Sequence, residues 1–275
     1  MHTPNLEILR ALPQGSRPRY AVLDFDGTVS LIREGWQDIM IPYFTDELAA
    51  TPQGAQLPRS ELAELARDFV FVNTGKQTIY QCIELANQIT RLGGTPQDPQ
   101  VYKDEYVRRL LEAIDQRLEG LRSGSIPREE LLVPGSVELL EMLRRHGVQL
   151  YLASGTDDPH VKIEAALLGL DQYFDGHIYG AQRDYKTFSK KMVIDRIIQE
   201  NNLSGTELLG FGDGYVEIEN IRSVGGYACG VASNEKTRQG IDQWKRERLT
   251  GVGADIIIPD YRCVEELEAY LFQYE

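Results

Sequence analysis

The sequence predicts an α/β fold in which a parallel sheet is covered by helices on both faces and an all-helical domain is inserted after the first strand. Two observations predict it. From residue 134 onwards, short apolar runs alternate with segments of helical periodicity, which is typical of parallel strands joined by crossover helices. The preceding segment, 36–121, shows helical periodicity and no convincing strand.

The first strand is predicted over 20–23, an apolar run that leads directly into a polar loop beginning at Asp24. Within the insert, one apolar helix face begins at Leu62 and a second begins at Ile79. A long third helix is expected to begin at Pro99, because proline suits the first helical position, where its missing N–H would have no partner.

The rest of the chain carries regular helix and strand signals. Helices are predicted over 136–146, 160–168, 189–201, 217–223, 236–249 and 264–272, and strands over 148–153, 176–179, 208–211, 228–231 and 255–258. We therefore expect 1–31 and 132–275 to form one α/β core and 32–131 to form a separate helical domain.

The composition argues against several classes of partner. A formal net charge of −13 at pH 7 disfavours binding to nucleic acid or to an anionic membrane surface, since both require a basic stripe. No stretch approaches the roughly 18 apolar residues of a transmembrane helix, and the N-terminus lacks the apolar core of a signal peptide. The odd number of widely spaced cysteines, Cys82, Cys229 and Cys263, favours a reduced, cytoplasmic protein.

Polar residues follow three of the predicted strands. Asp24-Phe25-Asp26-Gly27-Thr28, Ser154-Gly155-Thr156 and Gly212-Asp213-Gly214-Tyr215-Val216-Glu217 each come directly after an apolar run. Ligands of open parallel sheets bind outside the carboxyl ends of the strands, where Asp24, Asp213 and Glu217 would then meet. Three clustered carboxylates repel one another unless a cation compensates them, and oxygen ligands without nearby His or Cys favour Mg²⁺.

These loops carry a resemblance to a known family. Asp24-Phe25-Asp26-Gly27-Thr28, Ser154, Lys190 and Gly212-Asp213 resemble the four motifs of the haloacid dehalogenase-like hydrolase superfamily, and the stretch from Lys190 to Glu217 is similar in spacing to phosphoserine phosphatase-type members. The resemblance covers the α/β core in order and implies a Rossmann-like sheet. In the insert, only the position and the helical character are similar to a C1-type cap.

The resemblance implies a role for each acidic residue. Asp24 would attack phosphorus and form an aspartyl phosphate. Asp26 would protonate the leaving oxygen and then deprotonate the attacking water. Mg²⁺ would be held by the Asp24 carboxylate, the backbone carbonyl of Asp26 and Asp213. Glu217 stands where the family usually has Asp, and it would either ligate Mg²⁺ directly or orient a metal-bound water.

The phosphoryl group would be bound by other residues of the same motifs. The Ser154 hydroxyl and the Gly155 N–H would each bind a phosphoryl oxygen, and Lys190 would neutralise the phosphate and Asp24. Lys191 is the alternative to Lys190, because the two lysines are adjacent.

Within the insert, three residues are candidates for contacting the rest of the substrate. Trp36 follows the possible hinge at Glu34-Gly35, and Lys76 and Gln77 lie where a helix begins.

The function implied is that of a Mg²⁺-dependent phosphatase of a small phosphorylated metabolite, with either a sugar or polyol phosphate or a phosphoglycolate-like acid as substrate. A phosphomutase would use the same aspartyl phosphate, and a catalytically silent binding protein on the same fold is a further alternative. Asp26 argues against a dehalogenase and against phosphonate cleavage, because those relatives lack a carboxylate at this position.

Overall fold

The computed structural model describes residues 5–13 and 15–272. The chain divides into two compact units, of which one comprises 1–34 and 117–275 and the other comprises 35–116. We call them the α/β unit and the helical unit. The predicted division was at 31/32 and 131/132, whereas the contacts place it at 34/35 and 116/117.

A seven-stranded sheet forms the centre of the α/β unit. Its strands lie in the order β1-β7-β6-β5-β2-β3-β4, and all neighbours are parallel except β1 and β7. The strands are β1 (Glu7–Ile8), β2 (Tyr20–Leu23), β3 (Gln149–Asp157), β4 (Ile178–Ala181), β5 (Leu208–Gly212), β6 (Tyr227–Val231) and β7 (Ile256–Ile258).

The predicted α/β class is therefore confirmed, with one addition. The sequence prediction missed β1, because a two-residue edge strand has no apolar run and its Ile8 side chain is exposed.

Strand β2 is the centre of the arrangement, since all four of its residues are buried and it pairs with β3 on one side and β5 on the other. The register sets Leu23 beside both Leu152 and Phe211. The chain therefore leaves the sheet at β2 between two other strand ends, which is the position where open α/β sheets bind ligands.

Helices cover the sheet on both faces. They are α5 (Ser136–Arg145), α6 (Asp158–Leu167), α7 (Lys190–Asn201), α8 (Tyr215–Ser223), α9 (Gln243–Gly251) and α10 (Val264–Leu271). One layer of the core joins the sheet to the apolar sides of α7, α8 and α9, through residues such as Ile194, Ile218 and Leu249. Helix α5 packs against β3, and α10 packs against α5.

The predicted helix over 236–249 is wrong at its start, because α9 begins only at Gln243. The side chain of Asp242 accepts a hydrogen bond from the Lys245 N–H and caps the helix there. Upstream, Gly240 has a φ of 70°, and Ser233 and Ile241 form an antiparallel bridge. Residues 232–242 therefore form a connection that reverses direction before α9. The sequence prediction missed it because several of its charged residues have helical propensity.

The helical unit contains α1 (Gln37–Ala49), α2 (Arg59–Val72), α3 (Thr78–Arg91) and most of α4 (Pro99–Ser123). The apolar faces that begin at Leu62 and Ile79 are buried, as predicted, and α4 begins at Pro99. The end of α4 belongs to the α/β unit, where Arg117 Nη1 donates to the carbonyl oxygens of Ile32, at 2.7 Å, and Glu34, at 2.8 Å. Because these bonds join the end of α4 to residues of the α/β unit, the boundary between the two units falls inside α4.

Two further observations concern the described residues. None of their helices is both long and apolar enough to cross a membrane. The three cysteines are free thiols and all are buried.

We predict that two glycines at the ends of α5 differ in their tolerance of alanine. Both have positive φ, 82° at Gly135 and 73° at Gly147. A Cβ at Gly135 would lie 2.5 Å from the carbonyl carbon of Tyr261, whereas a Cβ at Gly147 would meet no atom within 4 Å. In urea unfolding, Gly147→Ala should lower the free energy of unfolding by about 1–2 kcal/mol through the backbone conformation alone. Gly135→Ala should cost about 1–3 kcal/mol more, through overpacking. Equal losses would contradict the close approach of Tyr261.

Candidate active site

The loop after β2 places two carboxylates at the rim of the sheet. The Asp24 N–H continues the ladder by donating to the Phe211 carbonyl at 2.9 Å, and Asp24 is only 6% exposed. The chain then turns around the Phe25 carbonyl, which accepts from the N–H groups of Val29 and Ser30 at 2.9 Å each. Asp26 lies within this tight turn, close to the end of β2 and therefore at the same rim.

Lys190 is bonded to the carboxylate that follows β2. It is the first residue of α7, it is 7% exposed, and its Nζ donates to Asp24 Oδ1 at 2.7 Å and to Glu217 Oε1. Lys191, the alternative, points elsewhere and pairs with Asp195 at 2.8 Å on the exposed side of the helix. The structure therefore brings together Asp24, Lys190 and Glu217.

Asp26 lies against the end of β3. Thr156 Oγ1 donates to Asp26 Oδ2 at 2.7 Å, and Ser154 Oγ is 3.5 Å from the same oxygen. Ser154 is fully buried, and its hydroxyl oxygen accepts from the Thr156 N–H at 3.0 Å. Gly155, between them, is partly exposed. Ser154, Gly155 and Asp26 thus share one corner of the rim.

A buried ion pair stands beside Asp26. Arg33, 8% exposed, donates through Nε and Nη2 to the carboxylate of Glu164, which is 1% exposed, at distances from 2.6 to 3.2 Å. Arg33 Nε is also 3.9 Å from Asp26 Oδ1. Sequence reasoning missed this pair, since its members are 131 residues apart and follow no motif.

Asp213 is held from two directions. Its N–H donates to Thr28 Oγ1 at 3.0 Å, which joins the loop after β5 to the loop after β2. Its Oδ2 is 2.8 Å from the Nζ of Lys245, which is only 8% exposed and lies on α9. Lys245 also contacts Glu235 Oε1 at 2.7 Å. Sequence reasoning missed Lys245 and Glu235, because both stand in charged stretches typical of a solvated surface.

Burial sets the protonation of these groups. It raises the pKa of the Asp24 carboxyl well above its usual range; Lys190 opposes that shift, while Glu217 and Asp213 add to it. It also raises the pKa of Asp26, against the opposing charge of Arg33. Burial by itself would lower the pKa of Lys190, but attraction by Asp24 and Glu217 outweighs it, so the pKa is raised and Lys190 stays charged.

The donor set fits a hard divalent cation. The four carboxylates of Asp24, Asp213, Glu217 and Glu235 share two lysines as their ion-pair partners. Glu217 Oε2 is buried and has no hydrogen-bond partner. Buried orphan acceptors of this kind point to a cation or water that completes the site. Carboxylate oxygen donors match Mg²⁺.

The side chains are not preassembled around a metal, however. Among residues 5–13 and 15–272, no group of three or more His, Cys, Asp or Glu side chains is arranged to hold an ion. Lys190 and Lys245 are instead the ion-pair partners of Asp24 and Asp213.

The residues predicted from the insert lie in the helical unit. Trp36 precedes α1. Lys76 is exposed, with its Nζ 3.0 Å from Asn73 Oδ1, and Gln77 is a buried residue that directly precedes α3.

The fold is similar to that of known proteins. A predicted phosphoglycolate phosphatase from Haemophilus somnus has a TM-score of 0.59 at 15% identity, over 91% of this chain and 97% of that one. A predicted phosphatase from Clostridium acetobutylicum has a TM-score of 0.58 at 19% identity, over 94% and 100%. A mutant CbbY from Rhodobacter sphaeroides, in complex with xylulose-1,5-bisphosphate, has a TM-score of 0.52 at 16% identity, over 89% and 95%.

At these identities the structural similarity demonstrates the fold alone. None of the curated proteins compared with this chain matches it. The model of the haloacid dehalogenase-like hydrolases matches residues 18–225, which is most of the chain and spans all four motifs. The protein therefore belongs to the haloacid dehalogenase-like hydrolase family.

Proposed function

We propose that this protein is a Mg²⁺-dependent phosphatase that hydrolyses a small phosphorylated metabolite through an aspartyl phosphate on Asp24. The observation that carries the proposal is the bond from buried Lys190 to Asp24 at the end of the central strand, with Asp26 two residues further on the same rim. A nucleophile, a neutralising cation and an acid are thus in one place. Family membership and the phosphatases of the same fold support it.

The first step is attack by Asp24. A carboxylate oxygen of Asp24 forms a bond to phosphorus, and the ester P–O bond to the leaving group breaks. Lys190 bonds Oδ1 and so restricts the rotation of the carboxylate. It also lowers the repulsion between Asp24 and the incoming phosphate, which are both anions.

Asp26 supplies the proton that the leaving oxygen needs. Thr156 donates to Oδ2, and Oδ1 is buried with no hydrogen-bond partner among the described residues, so that we assign the acidic proton to Oδ1. After the alkoxide leaves with this proton, Asp26 is a carboxylate and deprotonates the water that attacks phosphorus. The bond from phosphorus to Asp24 then breaks, which releases phosphate and restores both aspartates.

The remaining rim residues would bind the phosphoryl group and the metal. The Ser154 hydroxyl and the Gly155 N–H are assigned to phosphoryl oxygens, together with Lys190. Asp24, the Asp26 carbonyl and Asp213 would hold Mg²⁺, with Glu217 acting directly or through water. When bound, the ion supplies positive charge where the transferring phosphoryl group carries negative charge.

The substrate class follows from relatives and not from a named side chain. The neighbours include a predicted phosphoglycolate phosphatase and a protein in complex with xylulose-1,5-bisphosphate. We accordingly propose a sugar or polyol phosphate, or a phosphorylated acid, with Trp36, Lys76 and Gln77 recognising its non-reacting part.

The free cysteines suit a reducing, cytoplasmic location.

Removal of metal provides the first test. Purified protein treated exhaustively with EDTA should release no phosphate from p-nitrophenyl phosphate, and activity should return with Mg²⁺. Ca²⁺ should not replace it, because it prefers more ligands at longer distances. Full activity of the EDTA-treated protein, with the metal content checked by elemental analysis, would falsify the Mg²⁺ requirement.

Substitution of the two aspartates separates their roles. Asp24→Asn should reduce turnover to background and trap no acid-stable, base-labile phosphoenzyme. Uncatalysed phosphate-monoester hydrolysis is so slow that enzymes accelerate it by up to about 10²¹-fold, so no other group at the rim can substitute.

Asp26→Asn should instead discriminate between leaving groups. Alkyl phosphates should lose far more rate than aryl phosphates, whose leaving group needs little protonation, and the phosphoenzyme should accumulate. Rates on both substrate types, with phosphoenzyme trapping by acid quench, measure this. Substantial activity in Asp24→Asn, or a phosphoryl group trapped on another residue, would show that the nucleophile is wrongly assigned.

A further inference from the structure

The connection between β6 and α9 folds back onto the loop that carries the proposed nucleophile. Ser233 Oγ donates to the carbonyl oxygen of Gly27 at 2.8 Å. The Ala232 N–H is fixed to Ile258 at 2.8 Å, and Asp242 donates its N–H to Ala232 at 2.9 Å. This connection lies outside the four motifs. Its buried Ser233 and its half-buried Glu235 lie with buried Lys245 of α9 beside Asp213, and we call these three residues the wall.

Lys245 is the centre of that wall. Its Nζ contacts three oxygens, namely Asp213 Oδ2 at 2.8 Å, Glu235 Oε1 at 2.7 Å and Ser233 Oγ at 3.2 Å. Three oxygens account for the three N–H donors of an ammonium group. A buried lysine with all its donors used in this way is fixed in position and does not act as a mobile surface charge.

The wall reaches the nucleophile loop through a chain of contacts. Lys245 contacts Ser233, Ser233 bonds the Gly27 carbonyl, and Gly27 lies directly after Asp26. A Cβ at Gly27 would overlap Asp213 Oδ2 and would lie 3.0 Å from Glu235 Oε1. The nucleophile loop therefore approaches Asp213 and Glu235 at Gly27, and Lys245 contacts both of these carboxylates.

We propose that Lys245 is a positioning residue for metal binding, which fixes Asp213 through Oδ2 and fixes the nucleophile loop through Ser233. The inference rests on the proposed function, because it concerns the metal of that same site. With Oδ2 bonded to Lys245, only Oδ1 of Asp213 is left to turn towards a cation shared with Asp24. Glu235 is the second carboxylate bonded to Lys245, so that the lysine charge is shared between the two acids.

The test measures Mg²⁺ binding directly as well as turnover. Lys245→Met removes the ammonium group and keeps an apolar chain of similar length. Titration calorimetry of the full chain should show Mg²⁺ binding weakened about 10- to 100-fold, which is the usual effect of removing a group that orients a metal ligand. The half-saturating Mg²⁺ for turnover of p-nitrophenyl phosphate should rise by the same factor, whereas kcat at saturating Mg²⁺ should fall much less.

Two variants provide the controls. Arg246→Met removes the neighbouring cation of α9, which pairs with Glu7 at 2.5 Å, and it should bind Mg²⁺ like the wild type. Lys245→Arg keeps the positive charge and several donors, and it should recover part of the lost affinity. If Lys245→Met does not fold by circular dichroism, Ser233→Ala takes its place. It breaks the link to Gly27 and should weaken Mg²⁺ binding in the same direction by a smaller factor.

Each outcome decides the inference. Unchanged or tighter Mg²⁺ binding in folded Lys245→Met would overturn it, because the lysine would then only neutralise charge or compete with the metal. An equal loss in Arg246→Met would also overturn it, as a general effect on α9. If the wild type hydrolyses phosphate monoesters with Mg²⁺ and Lys245→Met behaves identically, only this inference fails. If the wild type itself neither binds Mg²⁺ nor releases phosphate, the proposed function is wrong as well.

Discussion

The burial of several carboxylates at the end of the central strands is the constraint on which the rest of this site depends. Ionised groups removed from water are unfavourable unless cations or hydrogen bonds compensate them. The chain meets this requirement with two buried lysines, each of which bonds two carboxylates. Lys190 bonds Asp24 and Glu217. Lys245 bonds Asp213 and Glu235. The oxygen donors of these carboxylates are what suits the rim to a divalent cation.

The sheet order explains why these charges meet. Strand β2 lies between β3 and β5, so that the loops after all three strands share one edge although they are far apart in the chain. Hydrogen bonds between the loops then fix their spacing, as with the Asp213 N–H on Thr28 and the Thr156 hydroxyl on Asp26. The same edge therefore holds the proposed nucleophile and the proposed acid on the loop after β2, where Lys190 of α7 bonds Asp24 and Thr156 of β3 bonds Asp26.

The corner occupied by Asp26 differs from the corner occupied by Asp24. Near Asp26, Arg33 is bonded to Glu164 and lies 3.9 Å from Asp26 Oδ1, and its charge opposes the rise in the pKa of Asp26 that burial causes. Near Asp24, the Lys190 ammonium bonds the carboxylate directly. The two neighbouring carboxyl groups therefore stand in different charge environments, although burial raises the pKa of both.

The sequence by itself determined the α/β class, the helical insert and the loops that carry Asp24 and Asp213, because apolar periodicity and turn residues are local signals. It placed Ser154 in a loop, whereas β3 extends from Gln149 to Asp157 and includes it. It also narrowed the candidates for the phosphate-binding lysine to Lys190, with the adjacent Lys191 as the alternative. Only the tertiary structure brought Lys190 onto Asp24, paired Arg33 with Glu164, and turned 232–242 back so that Lys245 reaches Asp213. These contacts join residues 32 to 166 positions apart, and nothing in a local pattern distinguishes a lysine that will be buried on such a partner from one that stays in water.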